Sequence, residues 1–239
     1  ITDSWETIAA HSQNGTASQT YSVGDTKKII LTNTDGSTET AIVAIAGFGL
    51  HRNAAGDKEG ITFILKGYST NGVNTNNINQ NMDMDARFYA GLPSDLKAVI
   101  KQSTIDTRNT DNGSASTTTT ATPYLFIPEL SNFSSALKDP NGYSTIYVTF
   151  GSYSGRCTEY ANEYDSGVFP LFSGMSLTEI ASFMRLSDKY VITRTAIGYK
   201  FSSGISINGR ASIRANDTYT ICKERNSGSN YYYTFCFRV

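Results

Sequence analysis

Near its start the chain reads Lys27-Lys28-Ile29-Ile30-Leu31-Thr32, then Asn33-Thr34-Asp35-Gly36-Ser37, then a second run from Thr38 to Phe48. Two β-rich runs around an Asp-Gly pair are the short-range signature of a hairpin, because glycine accepts the positive φ of a tight reversal. Upstream, Ser4-Trp5-Glu6-Thr7-Ile8-Ala9-Ala10-His11 predicts a short amphipathic helix. Trp5, Ile8 and Ala9 recur at helical spacing, Ser4 is placed to cap, and Gly15 is a natural stop. Residues 1–20 therefore read as a helical lead-in. Downstream, a polar loop His51–Glu59 precedes a strand from Gly60 to Leu65.

Further along, Asn71–Asn81 holds six Asn and one Gln and reads as a surface loop. Met82, Ala86 and Tyr89 share a helical face that breaks at Gly91-Leu92-Pro93, and a helix restarts over Ser94–Ile100. Residues 103–122 are rich in Thr, Ser and Asn, which suits an exposed β-edge or a loose loop. Tyr124–Ile127 reads as a short buried strand ended by Pro128, and Glu129–Leu137 as one or two helical turns. Ile146–Phe150 alternates as a strand, and Leu177–Leu186 is predicted helical with Ile180, Phe183 and Met184 on its apolar face. From Tyr190 to Val239 several short strands are expected, with turns at Ser202-Ser203-Gly204, Asn208-Gly209, Asn216-Asp217 and Asn226–Asn230. No repeat or linker stands out. Helices and a hairpin in the first half and a turn-rich antiparallel meander at the end read as one α+β domain over 1–239.

The composition narrows the function classes. Of 239 residues, 39% are apolar and only 17% charged, and 94 are Ser, Thr, Asn or Gly. The apolar share suffices for a sizeable core. A net charge of −1 argues against a nucleic-acid footprint or a polybasic membrane anchor. No apolar run approaches the roughly 20 residues of a membrane helix. The chain begins at Ile1 with neither an initiator Met nor a signal peptide, the pattern of a processed protein or an excised fragment. His11 and His51 are its only histidines, so an imidazole zinc site or a Ser-His-Asp relay has almost nothing to draw on. Cys157, Cys222 and Cys236 show no metal-ligand spacing. They read as buried thiols, with a Cys222–Cys236 pair as the alternative if the Asn226–Asn230 turn brings two strands together.

The candidate ligand-contact residues lie toward the C-terminus. Tyr231, Tyr232 and Tyr233 follow Asn226, Ser227, Ser229 and Asn230, and Tyr199, Arg210, Arg214 and Asn216 complete the set. Tyrosine offers a large rigid contact with a polar tip, and Asn, Ser and Gly offer adaptable hydrogen bonds. A strand alternating in and out exposes only one or two of the three adjacent tyrosines. Arg210, Arg214 and Arg225 would suit an acidic glycan or a phosphate-bearing wall polymer, or simply a solvated face. Arg194 and Arg238 read as structural cations holding strand ends or a carboxylate. Asp83 and Asp85 read as helix-start charges. Glu159 and Glu163, one helical turn apart, read as a solvated face; glycoside hydrolysis would need two carboxylates opposed across a cleft. Gly47-Phe48-Gly49 and the Gly151–Gly155 stretch lack the order of a nucleotide-binding loop.

Three local matches resemble an uncharacterised bacterial and bacteriophage domain family with a C-type-lectin-like fold. The first is Val23-Gly24-Asp25-Thr26-Lys27-Lys28-Ile29 with Ile45-Ala46-Gly47-Phe48 and Gly60-Ile61-Thr62-Phe63. The second is Met84-Asp85 through Leu92-Pro93-Ser94-Asp95-Leu96 to Val99-Ile100-Lys101. The third is Thr193-Arg194-Thr195 with Phe235-Cys236-Phe237-Arg238-Val239, which resembles the inner and closing strands of lectin-like domains. Where a Trp-rich motif is expected, this chain has Asp188-Lys189-Tyr190-Val191-Ile192. The Glu-Pro-Asn or Gln-Pro-Asp triplet for calcium and sugar is missing, with Asn216-Asp217 the only fragment like the second calcium motif. No metal and no cofactor are expected.

The resemblance implies a rigid frame carrying an adaptable binding face, as on phage tail-fibre tips and variable surface adhesins. The expected function is a non-enzymatic module of a virion or an extracellular surface. It would bind a host cell-surface receptor or glycan as a homo-oligomer, alongside other virion or surface proteins, without nucleic acid or membrane insertion. The alternative is a head-decoration or fibre subunit that binds only its own assembly. A glycan-degrading enzyme using Glu159/Glu163 or Asp83/Asp85 is the remaining reading.

Overall fold

The hairpin forms where the Asp-Gly pair places it. In the computed structural model, β1 (Thr26–Thr32) and β2 (Thr38–Phe48) pair antiparallel, from Thr26 opposite Ala44 to Thr32 opposite Thr38. Gly36 takes φ +82°, and the Asp35 carboxylate accepts from both the amide and the hydroxyl of Ser37. The structure describes residues 1–33, 35–69, 85–111, 114–133, 145–150, 153–159, 167–185, 190–200, 206–213, 221–223 and 231–239.

Before the hairpin lie α1 (Trp5–Gln13) and a short α2 (Ala17–Thr20). Ser4 caps α1 as expected, its hydroxyl accepting from the Thr7 amide at 3.1 Å. After the hairpin comes β3 (Ile61–Leu65), buried throughout. The broken helix is also real: α3 (Asp85–Phe88) runs into a 3-10 turn at Tyr89–Gly91, and α4 (Ser94–Lys97) restarts after Pro93. The Thr/Ser-rich stretch is a two-stranded hairpin of its own, β4 (Ile105–Asp111) with β5 (Ser114–Ala121). Then follow β6 (Leu125–Phe126) and a 3-10 turn at Leu130–Asn132.

A second sheet supplies β7 (Thr145–Phe150), β8 (Tyr153–Glu159), β9 (Tyr190–Lys200), β10 (Ser206–Ile213) and β11 (Ile221–Lys223), in the order β11-β10-β9-β8-β7. Between β8 and β9 a 3-10 turn at Pro170–Phe172 leads to α5 (Leu177–Phe183). The chain finishes with β12 (Tyr231–Tyr233) and β13 (Cys236–Arg238). The molecule is thus mixed helix and sheet, with mostly antiparallel strands and few helices.

The last part is less simple than a meander. β12 pairs with β9 in parallel, and β13 returns to the first sheet, whose order is β1-β2-β3-β13-β6. Asn208-Gly209 is not a turn. Both residues lie inside β10, opposite Gly198 and Ile197 of β9. The Cys222–Cys236 bridge is not formed, because β11 and β13 belong to different sheets and Cys236 is a buried thiol.

Period-two alternation sorts the first sheet into two faces. Val43, Ile45, Phe63, Phe237 and Leu125 face one way and join Trp5, Ile8, Phe88, Leu92 and Leu96 of the helices. Phe63 stacks on Phe237 at 5.3 Å, and Trp5 meets Phe63 edge-on at 5.2 Å. Ala44, Ile64, Cys236 and Phe126 face the other way, toward Leu130, Phe133, Phe169, Met184 and Val191. The central strands β2, β3 and β13 therefore bury apolar surface on both sides, at about 25 cal/mol per Å² removed from water, whereas edge strand β1 buries only Ile29 and Leu31. Gly91 lies where the 3-10 turn closely approaches β1. A Cβ there would stand 2.0 Å from the Thr32 carbonyl oxygen.

Candidate functional site

The buried charges are structural, as the sequence predicts for both arginines. Arg194 of β9 donates from Nη1 to Glu129 Oε1 at 3.1 Å, with both side chains almost wholly buried. Glu129 precedes the 3-10 turn at Leu130–Asn132, and its amide donates to the Asn132 side chain at 2.7 Å. The Arg194 amide donates to the Pro128 carbonyl at 3.0 Å. This pair therefore ties the second sheet to the segment that leaves the first. Arg238 of β13 donates to Glu59 Oε1 at 3.0 Å and to the Gln102 carbonyl at 2.6 Å. Hydrogen bonds from Asn53 and Arg238 hold the half-exposed Glu59 carboxyl below its usual range.

His51 is buried on the same face of the first sheet. Its Nδ1 lies 3.1 Å from Thr62 Oγ1, and its ring packs at 4.5 Å from Phe126 and 5.7 Å from Phe169. Burial, reinforced by Arg194, Arg238 and Lys58, keeps the imidazole well below its ordinary pKa. A neutral ring bonded to a threonine, between two phenylalanines, belongs to the packing.

The predicted contact residues are only partly brought together. Tyr199 lies in β9 opposite Ile207, and Arg210 lies in β10 opposite Ala196 and Lys223, so these two share neighbouring strands. Tyr231–Tyr233 run alongside Tyr190–Ile192 of β9. Tyr232 and Tyr233 are 9% and 4% exposed. They serve opposite sides of the core: Tyr232 meets Tyr68 at 4.6 Å, and Tyr233 joins the helix-covered cluster. Because β12 runs between two packed layers, alternation buries both rings instead of exposing one, and neither serves as open contact surface. Arg214, Asn216, Arg225, Asn226, Ser227, Ser229 and Asn230 lie outside the described residues.

The carboxylates also have assignments. Asp85 opens α3 as predicted and also accepts from the amides of Tyr124 and Leu125 at 2.9 and 2.7 Å. Glu159 ends strand β8, opposite Ile197, so it is a strand residue. Asp83 and Glu163 lie outside the described residues. Among the described residues, no cluster of His, Cys, Asp and Glu could hold a metal ion, and no helix is long and apolar enough to cross a membrane.

An open groove leads up to and into α5. Val168, Phe172 and Met175 give it an apolar floor, and Ser173, Ser176 and Glu179 a polar rim, around a volume of about 420 Å³. Ser176 and Glu179 form a capping box, in which the Glu179 Oε2 accepts from the Ser176 amide and hydroxyl, both at 2.7 Å. These bonds hold the exposed carboxyl below its usual range. One helical turn on, Phe183 meets Phe172 edge-on at 5.3 Å and lies under the Lys66 ammonium at 5.6 Å. Arg185 follows directly. The Ser-x-x-Glu spacing could have marked this helix start in the sequence. Nothing local could have placed Lys66, which comes from the end of β3, beside it.

No protein-family model, curated protein or solved structure matches the chain.

Proposed function

We propose that the chain is a non-enzymatic binding module of a phage particle or bacterial surface, attaching to a host receptor or glycan as one lectin-like domain. The observation that carries this reading is the division of labour among its polar groups. In the described frame, the buried charges and His51 are spent on packing and strand ends. The open groove at Val168–Glu179 instead joins an apolar floor to hydroxyl and carboxylate groups, with the Phe183 ring and the Lys66 ammonium beside it. Such a surface makes contacts. The C-terminal strand Cys236–Arg238 pairs with both β3 and β6 and so sits inside the first sheet, which gives the module a frame tied by its last residues.

Attachment by a shallow site gains from repetition, since several copies on one particle raise avidity without new contacts. Fluorescently labelled chain, monomeric and then clustered on beads, should bind host cells or an array of surface glycans, and more tightly when clustered. Absence of binding in both formats would refute this reading. Release of reducing sugar from bound polymer would replace it with an enzymatic one.

A further inference from the structure

We infer that Lys66, Arg185 and Phe183, with the adjoining groove, form a subsite for an acidic saccharide. The acid group would lie on the two cations and the sugar's hydroxyls along the groove rim. This deepens the binding-module reading and rests on it. Its first support is the conformation of Arg185. This residue follows α5 at φ 53°, the only non-glycine residue with positive φ among those described. The position is ordinarily taken by glycine, and a bulky residue held there is a reason to look for a role. The Arg185 stem lies over Gly67, itself at φ +90°. A Cβ at 67 would stand 3.1 Å from Arg185 Cδ and 3.4 Å from its Cγ. The bare backbone at Gly67 thus lets the stem settle next to Lys66.

The second support is charge. Lys66 leans over Phe183, and among the described residues neither Lys66 nor Arg185 has an ion pair. Acids elsewhere are engaged: Glu39 accepts from the Ser69 hydroxyl at 2.6 Å, and Glu179 Oε2 is committed to Ser176. Lys66 and the Arg185 stem thus lie on adjoining backbone without a carboxylate partner, and a bound anion would supply the missing counter-charge. The third support is the groove. Phe172 lies in its floor and touches Phe183, so the apolar floor continues to the ring under Lys66. An apolar floor fits the C–H face of a sugar ring. The rim hydroxyls of Ser173 and Ser176 and the second oxygen of Glu179 fit its hydroxyls. A phosphate or sulfate ion alone would use the cations and leave the groove idle.

The test is titration calorimetry of the full chain with a uronic-acid tetrasaccharide, a sulfated tetrasaccharide and a neutral tetrasaccharide, at low and at high salt. The acidic ligands should bind at least about tenfold more tightly than the neutral one, with the gap closing as salt rises; whichever acid binds better identifies the charged group. Lys66→Gln and Arg185→Gly should each remove about tenfold or more of that affinity. Arg185→Gly also relieves the backbone, so its melting temperature should hold or rise while binding falls, a combination a purely structural arginine would not show. Equal binding of acidic and neutral sugars, or full affinity in a folded Arg185→Gly chain, overturns the subsite. If the parent chain still binds host cells in that case, the binding-module reading survives alone; if it binds neither cells nor sugars, both fall.

Discussion

Acid should weaken the frame through His51 before it touches any carboxylate. The side chain is fully buried, with Nδ1 on Thr62 and two phenylalanine rings around it. Burial first, then Arg194, Arg238 and Lys58, depress its folded pKa well below the ordinary 6.5. Above pH 6.5 the ring is neutral in both states, so it adds no pH dependence. Below that value the unfolded chain takes up a proton that the folded chain refuses. Stability is therefore lost as pH falls, by about 1.4 kcal/mol per unit. The loss continues until the folded ring itself takes up a proton. Urea midpoints of the parent and of His51→Gln, measured from about pH 7 to pH 5, check it. Whatever the variant's absolute stability, its midpoint should be nearly flat where the parent's falls. A parent flat across this range, or a variant with the parent's slope, would refute the assignment of a neutral buried imidazole.

Two further perturbations probe the packing. Glu129→Leu alone removes the carboxylate bonded to the buried Arg194 guanidinium and should cost about 3–5 kcal/mol in chemical denaturation, whereas adding Arg194→Met should recover most of it; equal losses for the single and double variants would contradict a paired role. Gly91→Ala drives a methyl into the Thr32 carbonyl and should cost at least about 1–3 kcal/mol by overpacking, read as a lower melting temperature. A neutral outcome would mean that the 3-10 turn does not press on β1.

Local signals survived where their partners were also local. The Asp35-Gly36 hairpin, the Ser4 cap and the break at Leu92-Pro93 each depend on residues a few positions apart, and all three are in place. The same kind of signal misled at Asn208-Gly209, because pairing with Gly198 and Ile197 held the dipeptide extended. A propensity for turning is small beside a long antiparallel ladder. Tyr232 and Tyr233 looked like contact residues because alternation alone does not reveal that both sides of β12 are covered. Arg194 and Arg238 were readable as structural, but not their partners Glu129 and Glu59, which pair with them through the tertiary fold. The subsite was unreadable for the same reason: Lys66 ends one strand, and Phe183 and Arg185 end a helix formed much later in the chain.

The placement of β13 has a temporal side. It is made last of all the described strands, yet it sits between β3 and β6, and Thr234 reaches back 169 residues to the Leu65 carbonyl. Pairing across such a separation is slow to form, since much chain entropy is lost before the contact repays it. During synthesis Phe63 must wait without Phe237 to stack on, and β3 stays an open edge until the final strand emerges. An apolar edge waiting that long invites pairing with a neighbouring chain. Truncations that omit β13 should therefore aggregate instead of yielding a smaller stable unit, and growth temperature should govern the yield of the full chain.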